Sequence, residues 1–588
     1  VLRYYWQITP SRHQFLDRRS FLAGGAAVLA GLAIPSTSAW GAPRILRRLS
    51  LRACRLNAGA VDPADPILAL LDGQLGATET IDGLPFAAQW FGDTFPKNAI
   101  PFHTEPGSGL SATADESVDV AIIGGGLSGL AAATLMTLRA PDQTLALFDL
   151  RPRLGGSAMG ESWRGMPYSL GSAYFMVPDP ASDDELFYRT LGVYDHARVD
   201  AGGEFSIEYG DSIIQNICGD CSPSQALAYA NYRAEVLRLG DEYPDIPIAR
   251  QSRAVVESLD GLSFRESVRK AASQPLSPLV EQAIQAYCYS SFGVGWDELN
   301  AAAGWNFIAA EEFGRLILPG GNAGLAQLMF KRITRPPSTS AHPRPPITRV
   351  GAEVTDIRPR GDSVQVRWID ASGRRRCLRA KHAIVCISKH IVRHIMPTLA
   401  ELDPAKEAAC FQTPTVPYVV ANVLLKTQVP SRFYDLFTIH DKAFPMNDEQ
   451  CEGDRRVTDA VRSTFAAGST RGGDLLTLYW PLPWHTARFT IIQENDWRTY
   501  AQIGAPQITR LLATLAIDPA QVEQVRLTRW GHAMPFMRPG FIASGVAELL
   551  RRPIEGRIHF ANQDNWMLPA WETCLAEARF AVDSIVGG

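Results

Sequence analysis

The sequence predicts an α/β fold in which a Rossmann-like dinucleotide-binding layer is interleaved with an α+β layer. Three observations carry that expectation. A strand, a glycine turn and a helix follow one another over residues 118–138. A hairpin-rich run occupies 350–387, and a last strand and small-residue helix occupy 556–583. Segments so far apart serve one sheet only if the chain leaves the first layer, builds a second and returns. The length of 588 residues allows this, since about 150 residues per unit gives two to four units. A 46% hydrophobic and 20% charged composition excludes disordered, collagenous and polytopic membrane chains. A formal charge of −4 supplies no basic field for nucleic acid, so no such partner is expected.

Residues 1–42 read as an address. Arg18-Arg19-Ser20-Phe21-Leu22 leads into the mildly apolar run Ala23 to Ile34, closed by Pro35, which is the pattern of a twin-arginine export signal. The run is short and rich in Gly and Ala, whereas a membrane span needs about 20 strongly apolar residues. Removing it takes away four Arg and one Asp, moving the formal charge from −4 to −7. A periplasmic or secreted protein with no transmembrane span beyond the signal is expected, and a retained anchor is the alternative. Residues 43–115 form an N-terminal extension to which no chemistry is assigned. Of nine cysteines, Cys218 and Cys221 form the one close pair. A zinc site, a redox dithiol, loop cysteines and a structural disulfide all fit that pair, and no metal site is expected elsewhere.

The chemistry starts at Val118 to Ile123, an apolar run suited to a buried parallel strand, followed by Gly124-Gly125-Gly126-Leu127-Ser128-Gly129 and a helix. Gly124 permits a tight turn, Gly126 lets the backbone approach a pyrophosphate, and Gly129 lets the helix pack close to the strand. The amides of Leu127 and Ser128 open a helix whose dipole attracts phosphate. A second strand, Thr144 to Phe148, ends in Asp149, where a carboxylate reaches a ribose diol. Together these make a dinucleotide site.

Asp149-Leu150-Arg151-Pro152-Arg153-Leu154-Gly155-Gly156 resembles the E-x-R-x-R-x-G-G segment of the FAD-dependent amine oxidase and phytoene desaturase superfamily. Ser157 stands where that family usually has a third Arg, and Met166 to Ala173 resembles its stretch beside the flavin, with Ser169 in place of the usual Asp. Gly320-Gly321-Asn322-Ala323-Gly324-Leu325 resembles its G-G-x-x-x-L turn, and the meander after it implies a backbone contact near Val354 to the adenine. Gly556 to Asp564 resembles G-x-i-x-F-A-G-E-x, which places Gln563 and Asp564 at the cofactor, and Ala570 to Asp583 resembles the terminal helix, which places Trp571 there. The resemblance therefore implies FAD in a Rossmann-like domain of the GR2 type. No Cys or His stands at the family's attachment positions between Gln563 and Trp566 or after Gly156, so the FAD is expected to be non-covalent.

The resemblance implies residues 116–175, 317–394 and 526–588 for the FAD-binding domain, and 176–316 plus 395–525 for the substrate domain. Within the latter, Pro278 to Tyr289 and Ala505 to Leu515 have helical periodicity and Tyr418 to Leu425 reads as a strand. Trp530-Gly531-His532-Ala533 corresponds in order to the family's aromatic loop before the flavin. His532 is the candidate proton-transfer group, as an imidazole titrates near neutrality. Its alternative is a buried structural His. Trp530, Tyr479 and Trp480 are packing residues or a cage for a cation. Asn422 occupies the place of the family's flavin-facing lysine, and loss of that cation implies slow reaction with O2; Lys426 is the alternative counterpart. The whole implies an exported FAD-dependent oxidoreductase resembling bacterial amine and polyamine dehydrogenases such as spermidine dehydrogenase. Its substrate is a small amine or polyamine, oxidised by hydride transfer, with electrons passing to O2 or another acceptor. A carotenoid-type desaturase or isomerase and a non-catalytic flavoprotein are the competing readings.

Overall fold

The structure is a computed structural model that describes residues 65–587 apart from 72–73, 94–113, 202–205, 335–346, 432, 441–455, 468–471, 487–490 and 492–495. The export signal and the Pro-rich segment 336–346 lie outside the described residues. The elements used below are, in chain order, β1 (Glu116–Ile123), α1 (Leu127–Arg139), β2 (Leu145–Phe148), α2 (Asp183–Leu191), α3 (Ala301–Glu311), β3 (Arg375–Val385), β4 (Thr415–Leu425), β5 (Asp474–Pro481), β6 (Val522–Pro535), β7 (Ile558–Phe560) and α4 (Trp571–Val586).

Alternating side chains of β1 explain its central position. Val120 and Ile122 point to one face, where they join Leu130, Leu135, Leu575 and Val582 of α1 and α4. Ala121 and Ile123 point to the other, against Phe148, Ile357 and Val366. A strand apolar on both faces belongs inside a parallel sheet. β1 pairs in parallel with β2 and β3, and β3 pairs in parallel with β7. The meander is attached through β3, which also pairs antiparallel with Ser363–Ile369, itself antiparallel to Glu353–Arg360. One strand thus belongs to both parts, and that brings the middle of the chain to the dinucleotide layer.

The second layer is a ten-stranded sheet with β4, β5 and β6 at its centre. All eleven residues of β4 are buried. Val419, Ala421, Val423 and Leu425 face the helix Trp497–Thr514, while Tyr418, Val420 and Leu424 face the helical layer that contains Ile284, Trp305 and Phe292. The extension preceding β1 is part of this architecture. Thr78–Ile81 and Leu84–Ala87 extend the sheet beyond β6, and Phe91–Gly92 also pairs with β6. β6 runs through the 525/526 position and stays in this sheet to Pro535.

Cys218 and Cys221 form a disulfide in the loop before the helix Pro223–Asp241. Among the described residues no cluster of three or more His, Cys, Asp or Glu is arranged to hold a metal ion, and no helix is long and apolar enough to cross a membrane.

Candidate cofactor and active site

The glycine turn does what its spacing demands. Gly124 has φ +104°, and a Cβ there would sit 2.7 Å from the Cys386 carbonyl oxygen at the end of β3. A Cβ on Gly129 would lie 1.8 Å from the Gly124 carbonyl oxygen. Gly155 donates its amide to the Gly125 carbonyl at 2.8 Å, and a Cβ on Gly156 would come 3.1 Å from the Cα of Gly126. The two glycine pairs therefore form a backbone-lined groove with no side chain between them. α1 opens on this groove with no side-chain cap and no acidic residue in its first turn, which includes Leu127 and Ser128. α4, packed along α1, also starts without a side-chain cap. Five other helices are capped by Ser182, Ser222, Ser263, Ser277 and Asn300, while Arg253–Asp260 and Lys389–Ile395 are also uncapped. The α1 terminus, uncapped and free of acid, suits an anion such as a diphosphate, whereas α4 carries Glu572 in its own first turn.

Asp149 ends β2 as its spacing requires. Its carboxylate accepts the Gly125 amide at Oδ2 and the Arg151 amide at Oδ1, both at 2.8 Å. Each oxygen retains a lone pair for a ribose hydroxyl. Burial raises this carboxyl, and the Arg151 guanidinium and the two amides oppose that rise. Val354 stands alongside, since the neighbouring Ala352 donates to the Asp149 carbonyl at 2.9 Å. Leu150 is half-buried between them in sequence, and Ser157 is exposed at the far side of the groove.

The two arginines differ in what they hold. Arg151 is ion-paired with Asp93 and lies over the Trp530 ring, 5.3 Å from its centroid. The Arg153 guanidinium donates to the carbonyls of Ile67 and Gly160, fastening the first strand of the extension to the hairpin that follows the groove. At the other wall, Gln563 accepts a weak bond from Cys574 Sγ at 3.9 Å, and Asp564 accepts the Lys389 amide at 2.9 Å. Burial raises the Asp564 carboxyl, with Lys389 pulling it back. The Trp571 indole donates to the Tyr188 hydroxyl at 2.8 Å, which turns it toward α2.

Beyond the glycines, the stretch 170–171 lies under the second sheet. Trp530 Nε1 donates to the Leu170 carbonyl and Tyr479 Oη to the Gly171 carbonyl, each at 2.7 Å. Gly171 is required here, because a Cβ would meet the Ser157 carbonyl oxygen at 2.1 Å. Trp530 and Tyr479 thus mark where the sheet meets the groove, whereas Trp480 is buried on the opposite face. His532 lies one step further. Its Nδ1 is 3.0 Å from Thr415 Oγ1, and its ring is stacked on His390 with centroids 3.4 Å apart.

Asn422 is placed elsewhere. It pairs in register with Thr477 and Arg526, accepts the Thr477 hydroxyl at 2.6 Å and is fully buried. Six residues of β6 separate Arg526 from His532, about 20 Å at strand rise. The structure therefore brings Trp530 and His532 to one end of the sheet and leaves Asn422 at the other. Lys426 follows the end of β4, where its amide donates to the Gln521 carbonyl at 2.8 Å.

One residue of the site escapes sequence reasoning altogether. Asp93 pairs with Arg151, accepts the Gly531 amide at 2.9 Å, and through its carbonyl accepts Arg529 Nε at 2.6 Å. It ties the groove to the Trp530 strand from a segment with no motif of its own.

This arrangement agrees with the comparisons. Residues 122–190 match the family model of the NAD(P)-binding Rossmann-like domain. The backbone superposes on a putrescine oxidase redesigned in its cofactor binding, with a TM-score of 0.56 at 15% identity over 80% of this chain and all of that one. It superposes equally on cyclohexylamine oxidase from Brevibacterium oxydans IH-35A, with a TM-score of 0.56 at 15% identity over 80% of this chain and 99% of that one. The chain has the fold of these two oxidases. The oxidoreductase PigB of Serratia sp. (strain ATCC 39006) is 22% identical over 532 residues, 80% of this chain and 76% of that protein. The uncapped start of α1, the glycine groove and Asp149 fit the diphosphate and ribose of a dinucleotide such as FAD.

Proposed function

We propose that this chain is an oxidoreductase that oxidises a small organic amine or polyamine at a non-covalently bound FAD. The juxtaposition of the glycine groove with the Trp530–Tyr479 face of the second sheet carries this reading. It sets the Trp530 and Tyr479 side chains on the 170–171 backbone beside the glycine turn. Bound FAD supplies the hydride acceptor, whose electrons go on to O2 or another acceptor. The chain's own residues hold and shield. The α1 terminus and Asp149 bind the dinucleotide, and Arg151 with Asp93 fixes the Trp530 strand over the groove. His532, its Nδ1 held by Thr415, is the group we assign to proton exchange with the substrate. Similarity to a putrescine oxidase and a cyclohexylamine oxidase supports an amine substrate.

Purified protein is expected to be yellow, and anaerobic addition of a diamine, a polyamine or a cyclic monoamine is expected to bleach its visible flavin absorbance. A colourless protein that takes up no added FAD defeats the proposal, as does bleaching by a polyene and by no amine.

The Arg18-Arg19 segment supports export of the folded, cofactor-loaded chain. Cell fractionation is expected to find the protein outside the cytoplasm, and the double substitution Arg18→Lys, Arg19→Lys to retain it inside. Equal distribution of both forms would count against export.

A further inference from the structure

The antiparallel meander turns only one face to the core. Val364, Val366 and Trp368 of the strand Ser363–Ile369 are buried there with Leu378 and Ala380 of β3. Alternation along each strand sends the side chains between them to the opposite face. On that face the strand register sets Arg358 opposite Gln365, Gln365 opposite Arg379, and Arg367 opposite Cys377. Arg360 and Lys381 extend the face at one end, and Arg374 and Arg375 extend it at the other. Arg360, Arg374, Arg375, Arg379 and Lys381 are all exposed. Residues 353–381 hold eight basic and four acidic residues, a net +4, in a chain whose formal charge is −4, so the rest of the chain carries −8.

Ion pairing within the segment leaves positive charge over. Asp356 is fully buried between Arg358 and Arg367, two cations to one carboxylate. Asp370 takes Arg376, and Lys381 is paired with Asp119 of β1. Arg360, Arg374 and Arg379 form no ion pair among the described residues, and Glu353 and Asp362 are the two acids of the segment that form none.

We propose that this face docks on an anionic phospholipid surface, with lipid phosphates meeting the guanidinium groups. Two observations favour a bilayer over an acidic protein. The cations are spread along the sheet from Arg360 to Arg374, about 20 Å at strand rise, and do not converge on a pocket. The core of a protein interface is apolar and aromatic, and the exposed large hydrophobic side chains of the described residues include none between 353 and 381. A flat, polar, cationic sheet suits a plane of negative charge. None of its arginines is among the residues assigned above to the cofactor or the substrate, so docking and oxidation are separate properties of the chain.

The test is sedimentation of the FAD-loaded full chain with large unilamellar vesicles of phosphatidylglycerol and phosphatidylcholine in equal parts. The protein is expected to go down with these vesicles at about 0.1 M salt, where charge acts over about 10 Å, and to stay in solution at about 1 M, where that length falls to about 3 Å. Vesicles of phosphatidylcholine alone are expected to leave it in solution at either salt concentration. Each basic residue at an anionic surface strengthens binding about fivefold, so the triple substitution Arg360→Gln, Arg374→Gln, Arg379→Gln is expected to weaken partitioning about 100-fold. The same charge removed elsewhere, by Arg250→Gln, Lys270→Gln and Lys331→Gln at exposed positions outside the face, is expected to weaken it by about threefold at most. Residues 1–42 are common to every variant, so their arginines cancel in the comparison. Flavin absorbance and Tm are expected to be unchanged in both triple variants. Wild type that ignores the anionic vesicles, that binds phosphatidylcholine equally well, or that loses no more binding from the first triple substitution than from the second overturns the proposal. Tighter binding to polyglutamate than to the vesicles would give the face to an acidic protein and overturns it as well.

Discussion

Alanine at Gly129 is expected to yield a chain that folds but purifies without FAD. The added Cβ meets the Gly124 carbonyl oxygen at 1.8 Å and its carbon at 3.0 Å, and neither can withdraw. The Gly124 amide is bonded to the Phe148 carbonyl at 2.8 Å, and its Cα faces the end of β3. α1 must therefore move off the sheet by more than an ångström, taking its first-turn amides away from the diphosphate and parting its contact with α4. Overpacking of this kind costs about 1–3 kcal/mol. The loss of cofactor adds to it, because a ligand bound only by the folded state stabilises that state. The checks are the ratio of flavin to protein absorbance and the rise in Tm on adding FAD, both expected to fall to near nothing. Gly261→Ala, at a position with ordinary φ and open space, serves as the matched control. Stoichiometric FAD in Gly129→Ala would refute the packing argument.

A second large effect is expected far from the glycines, at Glu161. Its carboxylate receives Arg526 Nε at 2.8 Å and Nη2 at 2.9 Å as well as the Tyr168 hydroxyl. The side chains are 5% and 3% exposed, so the pair is sealed from water. It joins the hairpin after the cofactor groove to β6 of the second sheet. Glu161→Gln leaves Arg526 a buried charge whose other partners are the Gln524 side chain, the Leu75 carbonyl and the face of Phe91. Removing one member of such a pair costs about 3–5 kcal/mol. Replacing both, as in Glu161→Leu with Arg526→Met, is expected to recover most of it, because the cost lies in the unpaired charge and not in the lost attraction. Urea unfolding of the two singles and the double gives the coupling directly. A loss under 1 kcal/mol in Glu161→Gln would show that water reaches the site.

What the chain discloses without its structure follows a physical division. Gly124, Gly126, Gly129 and Asp149 were legible because the demand on each is local: a turn, a close approach and a strand end are all written within a few residues. The meander was legible through Gly361 and Gly373 at its turns. The positions of Trp530, His532 and Asn422 depend on how β4 lies against β6, and that register shifts between Val416 and Tyr418. No periodicity within either strand encodes such a shift. Asp93 and Glu161 are more hidden still. Each acts on a residue from another part of the chain, and each sits in an element whose own pattern is unremarkable.

The order of the strands also dictates when the molecule can form. β1 needs β3, β3 needs β7 from the last part of the chain, and Phe86 near the beginning pairs with Val525. Neither sheet can close while the ribosome still holds the C-terminal segment. The early strands can pair with their immediate neighbours, but each lacks its partner on the other side until a distant segment has been made, a situation in which folding is slow and aggregation competes. α4 follows every strand of both sheets. Its contact with α1 is therefore among the latest to form, and a product truncated before Trp571 keeps the glycine turn and Asp149 but lacks the helix that packs along α1.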